Sequence, residues 1–132
     1  MGIGLTAAIR SSFEDVVNRT RDALAVEGFG VLTEIDVKAT MKAKIGEDME
    51  DYLILGACNP ALAHRAIDID RQIGMLLPCN VVVRADPDNA GTILVEAMDP
   101  QILVEVTGEN QLRSVADEVT ARLQAAVGSL GG

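Results

Sequence analysis

The sequence predicts an α+β domain, with helices packed on one face of a largely antiparallel sheet of about five strands. Three observations carry that expectation. Stretches that alternate with period two are interleaved with stretches at helical spacing, so strands and helices mix along one chain. The run "ADPDNAGT", Ala85–Thr92, is dense in turn residues and reads as a hairpin loop between two strands. The first and last helical stretches are long, which suits a helical layer against a sheet.

The elements follow in order. Ile3–Ile9 alternates and reads as a half-buried strand. Gly2 and Thr6 also satisfy a loose myristoylation pattern, but the alternation favours the strand. Ser11 and Glu14 form a capping box for a helix over about Ser12–Glu27. Phe13, Val16, Val17, Thr20 and Leu24 recur along it at helical spacing, and Gly28 stops it. Asn18-Arg19-Thr20 matches a glycosylation pattern but falls inside this helix and is discounted.

Phe29–Ile35 is a second strand, with Phe29, Val31, Thr33 and Ile35 on one face and Glu34 on the other. Asp36 then caps a short helix in which Val37, Met41 and Ile45 recur every fourth residue up to Gly46. Lys38, Lys42 and Lys44 lie on its other faces, and the acidic run Glu47–Asp51 follows. Both charge runs read as solvated surface.

Tyr52–Ala57 is a third strand, ending at Cys58. Asn59 is a good N-cap, and Pro60 suits the first helical position. Leu62, Ala66, Ile69 and Ile73 make an apolar stripe that ends at Gly74. Met75–Arg84 leads into the fourth strand, and Thr92–Met98 is the fifth. Pro100–Val106 reads either as a short helical turn or as extended chain. From about Glu109 to Val127, Leu112, Val115, Ala116, Val119, Leu123 and Val127 mark an amphipathic helix. Residues 1–128 are thus expected to form a single domain, with 129–132 a flexible tail.

A chain of 132 residues with 48% hydrophobic content can build a core. With no Trp, one Tyr and two Phe, that core must be aliphatic. The formal charge of -9 repels phosphate backbones and anionic lipid, so neither nucleic acid nor membrane is an expected partner. No apolar run approaches the roughly 18 residues of a membrane span. "MGIGLTAAIR" lacks the features of a secretion leader, so a cytoplasmic chain with reduced thiols is expected. A sheet face left open, with Leu32, Val82 and Leu94 on it, would be apolar enough to attract a second copy, so a homodimer is expected.

The chemistry gathers in Leu55–Val83, which holds both cysteines and the single histidine. Cys58 precedes a helix cap, where the helix dipole and unpaired N–H groups activate thiols or bind a small anion. It reads equally well as a small apolar residue at a strand end. Cys79 follows Pro78 at a strand entrance and shares a face with Val81 and Val83. Cys58, His64 and Cys79 lack the paired spacing of a metal site, and His64 points away from the apolar stripe, so no metal and no cofactor are predicted. Tyr52, the sole tyrosine, could place its hydroxyl near Cys58 or simply sit at the core edge. No phosphate loop, dinucleotide fingerprint or nucleophile elbow is present, and no catalytic constellation is recognisable.

The runs "GFGVLTEIDVKATMKAKIG", "YLILGACNP", "IGMLLPCNVVV" and "MDP" resemble a prokaryotic family known as domain of unknown function 302, over nearly the whole chain. The resemblance implies a compact α+β domain with TATA-binding-protein-like topology (β-α-β4-α with short inserted helices), often homodimeric. It carries over a motif of Asp36, Cys58, Asn59, Pro60, Pro78, Cys79 and Asn80, without assigned roles.

Three functional readings stand open. One is a module binding a small anionic or thiol-reactive ligand around Cys58, Asn59, Pro60, Cys79 and Asn80. Another is a structural or assembly domain with buried cysteines. The third is a thiol redox protein with Cys58 as nucleophile and Cys79 as resolving partner.

Overall fold

The computed structural model describes residues 4–131; the expected start of the first strand at Ile3 and the Gly2 acylation pattern lie outside them. Five strands, β1 (Gly4–Arg10), β2 (Gly30–Asp36), β3 (Tyr52–Cys58), β4 (Cys79–Ala85) and β5 (Thr92–Met98), form one sheet. Its order is β1-β5-β4-β3-β2, with every neighbouring pair antiparallel. The helices are α1 (Phe13–Val26), α2 (Val37–Ile45), α3 (Pro60–Ile69), α4 (Gln101–Thr107) and α5 (Arg113–Gly128). No helix among the described residues is long and apolar enough to cross a membrane.

Alternation puts Ile9, Ile93, Val95, Ala97, Val81, Val83, Leu53, Leu55 and Ala57 on one sheet face, all buried. Val16 and Leu24 of α1, Leu62 and Ala66 of α3, and Val115, Val119 and Leu123 of α5 complete this aliphatic core. The opposite face carries half-buried Ile54, Val82 and Leu94 around the Arg84–Glu96 ion pair at 2.6 Å. Val82 and Leu94 therefore share an outer face as expected, but a charged pair divides it.

The expected facing of β2 holds only at its start. Val31 pairs with Ala57 on the inner face, but the register shifts before Thr33. Leu32 is the extra residue, and one inserted residue reverses every later side chain. Thr33 and Ile35 consequently face outward opposite Gly56 and Ile54. Glu34 faces inward opposite Leu55, at the edge, where Arg21 of α1 meets it at 2.9 Å.

Several boundaries also move. Ser12, not Ser11, caps α1, accepting from the Asp15 N–H, while the Ser11 hydroxyl donates to the Asp15 carboxylate. The third helix ends at Ile69 because Asp70 turns extended and its carboxylate accepts from the Gln72 N–H, opening a 3-10 turn over Arg71–Leu76. Ile73 stays fully buried under that turn, and β4 begins only at Cys79. The ambiguous stretch is helical, as α4, and a 3-10 turn over Asn110–Leu112 precedes α5. Within the expected tail, Leu130 is 3% exposed and its carbonyl accepts from Arg19.

Candidate functional site

The two motifs meet where β3 ends and β4 begins. Ala57 pairs with Cys79, so Cys58 stands beside the entrance of β4 as the chain leaves the sheet for α3. Asn59 makes that exit: its side-chain oxygen accepts from the Leu62 N–H at 3.3 Å, and Pro60 supplies the first helical residue. Gly28, at φ +86° in the α1–β2 turn, packs so closely that a Cβ there would lie 3.0 Å from the Asn59 amide nitrogen. On the outer face, a Cβ on Gly56 would overlap Thr33 Oγ1 and lie 2.8 Å from Pro78 Cγ. The glycine thus lets Thr33 and the Pro78 ring close over the strand just before Cys58. The Leu77–Pro78 peptide bond is cis.

Beneath these turns lies a cavity of about 30 Å³. Cys58, Asn59, Pro78 and Cys79 line it together with Phe29, Leu62 and Ala66. Leu103 of α4 and Val115 and Val119 of α5 form its far wall. The lining is almost wholly carbon and sulfur. Both thiols are free; Cys58 is half-buried and Cys79 is 5% exposed. Burial, and then the charge of a neighbouring Cys58 thiolate, push the Cys79 thiol up to about 11.

Of the seven residues singled out from the sequence, four border this cavity. Pro60 is exposed at the start of α3, and Asn80 is exposed on the outer face opposite Gly56. Asp36 is elsewhere: it caps α2, accepting from the Ala39 N–H at 2.9 Å. It pairs with Leu53, and from there to Cys58 the strand runs roughly 17 Å at about 3.3 Å per residue. Tyr52 is at that far end too, so its hydroxyl does not serve Cys58. His64 is exposed on α3, 3.7 Å from Asp68. Among the described residues no three His, Cys, Asp or Glu side chains gather as a metal site requires.

The helix start is poorly suited to an anion. Pro60 has no N–H to offer, and Asn59 already takes that of Leu62. Sequence reasoning missed the far wall of the cavity. Leu103 fell in the stretch of undecided structure, and Val115 and Val119 read only as core positions.

Comparison with family models matches residues 5–130 to Domain of unknown function DUF302. The chain belongs to that family. A crystal structure of an uncharacterised conserved DUF302 protein from Bacillus stearothermophilus is similar at 26% identity, covering 98% of this chain and 99% of that one, with a TM-score of 0.89. No curated protein matched. The DUF302 fold thus accounts for the whole sheet and every helix around the cavity.

Proposed function

We propose that this DUF302 domain binds a small uncharged ligand in the cavity between β3, α3 and β4. The observation that carries the reading is the convergence of Cys58, Asn59, Pro78 and Cys79 on one apolar space. Two separate sequence motifs supply those residues, and local turn chemistry needs neither thiol. The apolar lining turns the reading away from an anion, because burying an unpaired charge among carbon and sulfur costs many kcal/mol. A space of about 30 Å³ takes roughly two water-sized groups, so the ligand is small or enters as a small moiety.

Titration with methanethiol under oxygen-free, reducing conditions tests this directly. The methyl resonances of Ala57, Ala63 and Ala66 are expected to shift saturably. Ala66→Leu, which fills the space, is expected to abolish the shift. Absence of saturable change in the folded wild-type chain would sink the reading.

A second reading, self-association, rests on a different surface. The edge strand β2 and helix α2 expose Leu32 at 67%, Ile35 at 48% and Ile45 at 65%, and α2 buries no residue. An apolar stripe beside an unpaired strand edge suits a second copy of the chain. Sedimentation of wild type and Ile45→Asp checks it: a dimer that the substitution dissociates is expected.

A further inference from the structure

We infer that Cys58 is the exchange-active thiol of this cavity, taking a short uncharged RS group from a low-molecular-weight disulfide, with Cys79 the buried wall of the pocket rather than a resolving partner. This rests on the cavity being a ligand site and says what kind of ligand it takes.

Reach separates the two thiols. Cys58 is half-buried where the chain turns from β3 into α3, whereas Cys79 is 5% exposed within β4 and paired to Ala57. Charge separates them again. Thiol exchange needs a thiolate. Burial holds the Cys79 thiol in its protonated form at neutral pH, and this cause persists when Cys58 is capped and carries no charge. Cys79 is therefore a poor attacker on a mixed disulfide formed next to it. A group placed on Cys58 stays there instead of being expelled as an internal disulfide. Cys79 lines the cavity as a soft and weakly polar wall.

The step balances without another reactant. The Cys58 proton goes to solvent. The thiolate attacks one sulfur of RS–SR, a new S–S bond forms at Cys58, the old one breaks, and RS⁻ leaves with the bonding pair and takes a proton from water. Room for roughly two water-sized groups matches a sulfur and one methyl. Longer or charged R groups would have to displace Phe29 or Leu77 or bury a charge.

The test uses methyl methanethiosulfonate as the small RS donor, with methanesulfinate leaving in place of RS⁻, and its benzyl analogue as the large one, on the folded full chain and in urea, read by intact mass and peptide mapping. One thiomethyl group is expected on Cys58 in wild type and in Cys79→Ser, and none in Cys58→Ser. The folded chain is expected to prefer the small reagent at least tenfold more than the unfolded chain does. Labelling of Cys79 first, conversion to an internal disulfide, or equal size preference in both states would each overturn the inference. Ala66→Leu should slow thiomethylation; if that variant fails to fold, the reagent-size comparison on wild type decides alone. Saturable methanethiol binding without any adduct from the thiosulfonates would defeat this inference while sparing the pocket. Loss of both would defeat the pocket as well.

Discussion

Strand β3 has two ends, and they were built differently. At the Cys58 end, an Asx-capped helix folds back onto the sheet, and Leu62 and Ala66 disappear beneath α5. At the Tyr52 end, β2 runs into α2, another Asx-capped helix of similar length. That helix has its own apolar stripe, yet none of it is buried. Cap and periodicity are thus equal at the two ends. What differs is whether the chain supplies a surface to receive the stripe. Helix formation is local, but most helix stability comes from tertiary packing.

Deleting an aliphatic side chain from each region should break the symmetry most sharply. Leu55 has no exposed surface, and Leu55→Ala is expected to cost about 2–5 kcal/mol, as large-to-small changes in cores do. Ile45→Ala at the end of α2 is expected to change the stability of the isolated chain by no more than about 0.5 kcal/mol. Urea denaturation at low protein concentration measures both. A large loss from Ile45→Ala under those conditions would show that α2 is received by its own chain after all.

The buried thiol sharpens the same contrast, since the open end has no counterpart. Cys79 rises from an ordinary value of 9.0 to about 11 in the fold, so the folded state holds its proton more tightly than the unfolded state. Its contribution is fully present below about pH 9 and is lost as pH rises through about 11. Two pH units correspond to about 2–3 kcal/mol, which wild type should lose over that window and Cys79→Ala should not. Parallel denaturation curves at pH 8 and pH 11 read the difference. Equal alkaline losses in both chains would show that the thiol is not sealed.

These contrasts also mark what the sequence could show. Periodicity exposed every strand, and the turn chemistry of Asn59-Pro60 and Asp36 located two helix starts, because both signals are local. The capping box fell one residue early, since Ser11 with Glu14 fits the box pattern, whereas Ser12 has the extended backbone and its hydroxyl accepts from the Asp15 N–H. The bulge at Leu32 left no trace in the period, yet it sent Glu34 inward and Ile35 outward. The cavity was half legible. Its near wall is written in two motifs, whereas Leu103, Val115 and Val119 arrive from distant helices through packing that no local pattern encodes. Exposure of the α2 stripe was hidden for the same reason, because amphipathic spacing says which face is apolar and not whether anything covers it.

The smallest effects test the caps themselves. Asn59→Ala and Asp36→Ala each remove one N-cap acceptor, a loss of about 1 kcal/mol to the helix concerned. The same local loss should have different consequences. Helix α3 is packed, so its fraying uncovers Leu62 and the cavity, and Asn59→Ala should lower global stability by about that amount. Helix α2 buries none of its own residues, so Asp36→Ala should raise amide exchange within Val37–Ile45 while leaving global stability nearly unchanged. Hydrogen exchange beside urea denaturation separates local from global opening. If Asp36→Ala lowered global stability as much as Asn59→Ala, the two ends of β3 would be coupled through the strand, and the division between a sealed end and an open one would fail.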